Sequence, residues 1–238
     1  MLKVDGSMSR VRRAGLAAIV AVGAATALTG CGTTMSGGEN STSSSYDVAD
    51  AVTTLRVDGH GGDIEIVTGD GAIKVTETME YRDTKPVSRH SVSNGELLLQ
   101  SDRCNVDGVC HVDYKIQMPA KLAAKLSSGG GAIDISGVVA LVDIDSGGGK
   151  VVADKLSVKN LTVNSGGGAV EASLSAEPDS VAVDTSGGGA KLKLPGGPYA
   201  VDVESGGGPR DVSVKTSATS ARQVTVKSGG GGIKIQSA

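Results

Sequence analysis

The chain has no Phe, no Trp and only 4 Tyr in 238 residues. Large rings normally fill the middle of a globule this size. Their absence argues against a thick single core and leaves Val, Ile, Leu and Ala to supply the burial. Pro is scarce at 6, and the 36 Gly follow no Gly-X-Y triplet, which excludes collagen. There is no excess of positive charge either: the formal net charge of −3 argues against a nucleic-acid partner. With 3 Cys and 3 His in no zinc-type spacing, neither a metal nor any other cofactor is expected. Outright disorder is excluded by a hydrophobic content of 39%.

What is present begins with an address. Arg10, Arg12 and Arg13 precede an uncharged apolar stretch from Ala14 to Leu28, followed by Thr29, Gly30 and Cys31. A basic start, a short apolar run and small residues at the end make a secretory signal peptide. Leu28-Thr29-Gly30-Cys31 resembles the lipobox of bacterial lipoproteins. That resemblance implies cleavage before Cys31, a diacylglycerol on its thiol, and an extracytoplasmic protein held to the cell membrane through its N-terminal lipid. Residues 1–30 are thus expected to be the signal, with the start at Met1 or Met8, and 31–50 a lipidated Cys with a flexible Ser/Gly/Thr tether. Without residues 1–30 the chain carries 19 Lys+Arg against 25 Asp+Glu, so acyl chains rather than charge must hold it to anionic lipid. Cys104 and Cys110 are then the two thiols left in an exported chain, six positions apart, and a disulfide between them is expected.

A repeat organises the rest. Ser-Gly-Gly-Gly begins at Ser128, Ser146, Ser165, Ser186, Ser205 and Ser228, at spacings of 18, 19, 21, 19 and 23 residues. Alternating apolar pairs flank each run, such as Val142 and Ile144 before one and Val151 and Ala153 after it. Period-two alternation over so many segments predicts half-buried strands. From Ile144 to Val151 or Val163 to Val170 the flanking apolar residues are seven apart, and from Val183 to Leu192 and Val203 to Val212 they are nine apart. An odd separation would put them on opposite faces of one continuous strand. The glycines must therefore break the pleat, and corners with φ > 0 are the expected reason for Gly. The expected structural corner glycines are Gly129, Gly130 and Gly131; Gly147, Gly148 and Gly149; Gly166, Gly167 and Gly168; Gly187, Gly188 and Gly189; Gly206, Gly207 and Gly208; and Gly229, Gly230 and Gly231.

Val57-Asp58-Gly59-His60-Gly61-Gly62-Asp63-Ile64 aligns with Ile144–Val151 as a decayed upstream copy. Between the copies, Ile73–Tyr81 and Ser88–Leu99 read as strands, with Asn94-Gly95 as a hairpin signal. The reading is an all-β domain over residues 51–238, with an antiparallel insertion at 73–118 and regular repeats at 126–238. Repeats of about 19 residues bury their faces only by stacking.

Val112-Asp113-Tyr114-Lys115-Ile116-Gln117-Met118-Pro119, followed by the Ser-Gly-Gly-Gly repeats, resembles the putative-adhesin β-repeat family of bacterial envelope proteins over roughly residues 50–238. The resemblance implies a β-solenoid, or single-stranded β-helix, and a cell-surface role with an unspecified envelope or surface ligand. It brings no catalytic residues. Family corners usually carry an acid, as Ser-Gly-Asp, whereas here only Gly61-Gly62-Asp63 keeps one, which removes support for cation binding at the corners.

Chemical motifs are few. Gly149-Lys150 is followed by Val151, which argues against a phosphate-binding loop. No nucleophile-elbow pattern accompanies any Ser, and His60, His90 and His111 read as isolated surface or corner residues. A non-enzymatic, lipid-anchored adhesin-like protein that binds or bridges surface material is the favoured reading. The alternatives are a β-helical polysaccharide-cleaving enzyme and an envelope regulator or sensor subunit.

Overall fold

The computed structural model describes residues 39–104 and 108–238, all strands, turns and bends with no helix. The signal segment and Cys31 lie outside the described residues. In chain order the strands are β1 (Asn40–Val48), β2 (Thr54–Gly59), β3 (Ile64–Thr68), β4 (Ile73–Tyr81), β5 (Ser88–Ser93), β6 (Glu96–Ser101), β7 (Cys110–Met118), β8 (Ala123–Ser128), β9 (Ile133–Ser136) and β10 (Val142–Ser146). They continue as β11 (Val151–Leu156), β12 (Asn160–Ser165), β13 (Val170–Leu174), β14 (Ser180–Thr185), β15 (Ala190–Leu194), β16 (Ala200–Ser205), β17 (Arg210–Ser213), β18 (Gln223–Ser228) and β19 (Ile233–Ser237).

These strands make two mixed sheets and no closed barrel. The first runs β16-β18-β14-β12-β10-β8-β2-β6-β5, and the second β1-β4-β7-β3-β9-β11-β13-β15-β19-β17. Each Ser-Gly-Gly-Gly corner carries the chain from a strand of the first sheet to one of the second, so a repeat contributes one strand to each. Within a sheet, successive repeats pair in parallel and in register: Val142 opposite Leu161 and Ile144 opposite Val163, Val151 opposite Val170. Register of this kind turns the alternating pattern into columns. Ala124, Val142, Leu161 and Val181 form one buried column and Ile133, Val151 and Val170 another, all at most 1% exposed. A core one side chain deep on each sheet needs no Phe or Trp.

Stack order departs from chain order at both ends. β18 and β19, the last strands of the chain, lie between the β14–β15 and β16–β17 layers, and β2–β3 lie between β6–β7 and β8–β9. The sequence supplies the physical reason at the C-terminal end. By register Arg210 takes the inward position that Ile233 fills in the neighbouring layer. A layer carrying a guanidinium there is tolerated only at the outer edge, whereas Val224, Val226, Ile233 and Ile235 are apolar enough to be covered on both sides.

The insertion is only partly antiparallel. β4 pairs antiparallel with β1 and β7, and β5 with β6. β6 and β7, however, run parallel to β2 and β3 and form a layer of the stack. Asn94 at φ 51° and Gly95 at φ 76° make the β5–β6 hairpin as their sequence suggests. The polar stretch expected as tether is held in a sheet from Asn40 onward, because Ser45 Oγ and Thr76 Oγ1 bond at 2.7 Å within the full-length β1–β4 ladder. Cys104 in the β6–β7 loop forms a disulfide with Cys110, the first residue of β7, with Cα atoms 5.9 Å apart.

Two expectations about the corners are corrected. None of the repeat glycines is among the residues with positive φ. They are needed because the corners stack backbone on backbone. A Cβ built on Gly147 would meet the Gly129 carbonyl oxygen at 2.2 Å, and one on Gly149 the Gly131 oxygen at 1.9 Å, while one on Gly148 meets nothing within 4 Å. The first and third glycines are thus forced by close approach, while the middle one has room at Gly130 and Gly148 and is tightest at Gly230, 3.3 Å from the Gly187 oxygen; Ser186, which takes the first position in one corner, is the exception. The apparent nine-residue spacings are also seven. Register places Ala190 opposite Val170 and Arg210 opposite Ile233, so the first inward residues after those corners are Ala190 and Arg210. The corner near Ser186 is accordingly Thr185-Ser186-Gly187-Gly188, with Thr185 opposite Ser165 and Gly189 one place beyond. In each of these corners the buried hydroxyl donates three residues ahead: Ser146 Oγ to the Gly149 carbonyl at 2.9 Å, Ser165 to Gly168 at 2.8 Å, Ser228 to Gly231 at 2.8 Å, and Thr185 to Gly188.

Candidate functional site

The residue just before each corner hydroxyl points outward from the first sheet, because its successor is buried and side chains alternate. In parallel register these residues form a polar column. Gln100 pairs with Asp58, Asp58 with Ser127, Ser127 with Asp145, Asp145 with Asn164, Asn164 with Asp184, and Asp184 with Lys227. Neighbours in such a ladder are about 4.8 Å apart. Asn164 Nδ2 donates to Asp145 Oδ1 at 2.9 Å, and Arg56 Nε lies 3.2 Å from both carboxylate oxygens of Asp58. The Asp58 hydrogen bond, followed by its charge, raises the pKa of the Arg56 guanidinium.

The column and the stacked corners bound an open, polar groove of about 760 Å³, which His60, Gln100 and Arg103 also line. His60 Nδ1 lies 2.7 Å from the Ser101 carbonyl oxygen. A carbonyl only accepts, so Nδ1 carries the proton and Nε2 is left for solvent or ligand. Along the groove run exposed corner glycines, carboxylates, an amide and a hydroxyl, with cationic and imidazole groups among them. Such a surface can hydrogen-bond an extended polar chain at several successive points. No two carboxylates of this column occupy neighbouring layers, whereas retaining glycoside hydrolysis needs a pair about 5–5.5 Å apart.

One neighbouring pair does occur, on the second sheet, where Glu65 lies opposite Asp134. Lys115 Nζ donates to both Glu65 carboxylate oxygens at 2.9 Å. The Asp134 pKa is raised from its ordinary value by burial first and by the charges of Asp63 and Glu65, with Lys150 opposing.

Of the residues singled out in the sequence, the structure brings Gly129, Gly147 and Gly166 into the groove wall. Cys104 lies in the β6–β7 loop and Cys110 opens β7, away from the groove wall. The three histidines are not isolated: His60 enters the groove, His90 stacks on Tyr46 with centroids 4.4 Å apart, and His111 lies beside Glu80 and Asp113. The polar column was missed, although a sequence signal for it exists. Asp58, Ser127, Asp145, Asn164, Asp184, Glu204 and Lys227 all hold the place before a corner.

No family model matches the chain, and no curated protein does. Solved structures do resemble it. One is described as a "putative cell adhesion protein" from Clostridium sporogenes ATCC 15579; the likeness has a TM-score of 0.54 at 16% identity over 82% of this chain and 99% of that one. Another, a "putative adhesin" from Bacteroides fragilis NCTC 9343, gives a TM-score of 0.49 at 16% identity over 83% and 97%. At such identity the first likeness shows a shared all-β fold.

Proposed function

We propose that the two-sheet stack is a β-solenoid displayed outside the cytoplasm on a lipid anchor at Cys31, and that it works as a non-catalytic, adhesin-like module binding envelope or surface polymers. The observation that carries this reading is the polar groove along the first sheet, with side chains repeating every layer and matched to an extended, hydroxyl-rich or amide-rich chain. The Arg10–Cys31 series supports the anchor, and the fold shared with a protein described in terms of cell adhesion supports the role.

The test is a glycan and cell-wall binding screen with the chain lacking residues 1–31. Retention without turnover is expected, weakened by Asp145→Ala and Asn164→Ala in the groove and unchanged by Glu171→Ala on the opposite sheet. Release of hydrolysis products that disappears in Asp134→Asn would overturn the reading in favour of an enzyme. For the anchor, Cys31→Ser should move the protein out of the membrane fraction; a processed variant retained there would contradict lipidation.

A further inference from the structure

Away from the groove, on the outer face of the second sheet, the antiparallel register sets Glu80 of β4 directly opposite His111 of β7. Asp113 lies two residues along β7, on the same face as His111, because Val112 between them is buried. His111 Nε2 is 3.4 Å from Glu80 Oε2 and 3.7 Å from Asp113 Oδ1. One ligand atom from each of the three residues falls within 4.8 Å of the others. Two donors on a tetrahedral zinc ion, each about 2.0–2.2 Å from it, are separated by roughly 3.3–3.6 Å. The two distances from the imidazole match that edge closely enough to close on an ion by small side-chain rotations.

We infer that Glu80, His111 and Asp113 form a surface site for a divalent transition metal of the zinc class. The donor set is the first support. One imidazole nitrogen with two carboxylates suits zinc and its neighbours, whereas calcium requires six to eight oxygens. Second, the ligand oxygen is held in place from behind. The Asp63 backbone N–H donates to Asp113 Oδ1 at 2.8 Å, and Asp63 in turn accepts the Ala132 N–H at 2.7 Å, so Asp113 is tied through two successive corners of the stack. Such outer partners orient metal-binding carboxylates. Third, the histidine follows Cys110 directly, and the disulfide fixes the end of β7. Side-chain exposures of 27% for His111, 44% for Glu80 and 32% for Asp113 leave an entry path and room for water or an outside ligand at the remaining position. The bound ion would clamp β4 to β7 at the N-terminal end of the stack. The site is independent of the groove.

Titration calorimetry of the full chain with zinc ion alone tests the inference, beside His111→Gln, Glu80→Gln and Asp113→Asn. The wild type should bind one zinc per chain, and its melting temperature should rise with zinc concentration, since an ion that binds only the folded state stabilises it. Each variant should weaken binding at least tenfold. Asp113→Asn keeps an oxygen for the Asp63 N–H, so it stays informative should another variant fail to fold. Undiminished zinc binding in the variants, no zinc binding by the wild type, or equal binding of calcium would overturn the proposal; the first and second outcomes would reduce the cluster to a contact between His111 and its two acids.

Discussion

The two ends of the stack meet the same physical problem in different ways. Any array of parallel layers leaves a last strand in each sheet with unpaired backbone groups, and the last pair of inward side chains without a partner. At the N-terminal end the problem is met by covering. β1 and β4 continue the second sheet beyond β7, and β5 continues the first beyond β6, all in antiparallel pairing. Tyr46 of β1 stacks on His90 of β5, bridging the two sheets over the end of the core. The Tyr46 hydroxyl donates at 2.7 Å to Glu77 Oε1, whose residue is only 5% exposed. Burial first, and the Glu77 charge second, push the Tyr46 phenol well above its ordinary pKa, so it stays a donor.

At the C-terminal end the problem is met by polarity. β16 and β17 pair on one side only, Val201 and Val203 are half-buried, and Val212 is 38% exposed. Arg210 reaches from β17 to the Val203 and Ser205 carbonyl oxygens at 3.4 Å, charging an edge that would otherwise accept a foreign strand. One end is built as a lid and the other is left as a guarded edge. Tyr46, Tyr81 and Tyr114 stand in the strands of the lid end, whereas Tyr199, fully buried just before β16, is the one large ring at the other end.

The largest expected effect separates inner from outer layers at the C-terminal end. Deleting residues 223–238 removes β18 and β19, which lie inside the stack, and should release β16 and β17 with them. Excising residues 197–219 removes only the outer layer and leaves a five-residue link between β15 and β18, the same length as Ser175–Asp179 between β13 and β14. Hydrogen exchange should show β16 and β17 unprotected after the deletion, and β18 and β19 still protected after the excision. Equal losses in the two variants would mean that chain order, not the observed stack order, governs stability.

Smaller effects belong to the lid. Replacing Cys104 and Cys110 together by Ser should cost about 2 kcal/mol in urea unfolding, the chain-entropy value for so short a loop. Tyr46→Phe leaves the Glu77 carboxylate buried without its phenolic donor and should cost about 1–2 kcal/mol; an unchanged midpoint would mean the lid is held by apolar contact alone. Arg210→Ala at the opposite end should change stability by less than about 0.5 kcal/mol, as an exposed substitution does. It should raise self-association by sedimentation, because the β16 edge loses its charge; a monomer at all concentrations would show that Arg210 does not guard the edge.

The layers were legible in the sequence because period-two alternation and Ser-Gly-Gly-Gly recur, and the Asn94-Gly95 hairpin carries its own local signal. Stack order was not, since parallel register is a non-local choice among segments that look alike; only Arg210 in an inward position hinted at which layer must be last. The corner spacing was misread at Leu192 and Val212 because Ala190 is small beside Leu192, and Arg210, at the register-equivalent position, is charged and stays exposed in the outer layer. The lid was hidden as well: Ser41–Ser45 has the composition of a tether and gains its strand only from β4. As for the groove, each of its residues is an ordinary polar strand position, and only register turns Asp58, Asp145, Asn164 and Asp184 into a surface.

The central claim is that the repeat glycines are required by corner-on-corner stacking rather than by backbone dihedrals. Equilibrium unfolding of Gly148→Ala beside Gly149→Ala tests it within one corner. A Cβ at 149 would lie 1.9 Å from the Gly131 carbonyl oxygen, whereas one at 148 enters open space. Gly149→Ala should lose about 1–3 kcal/mol or more, and Gly148→Ala should stay within about 0.5 kcal/mol of the wild type or gain slightly from a stiffer unfolded chain. Equal destabilisation at both positions, or none at 149, would contradict the stacked-corner account.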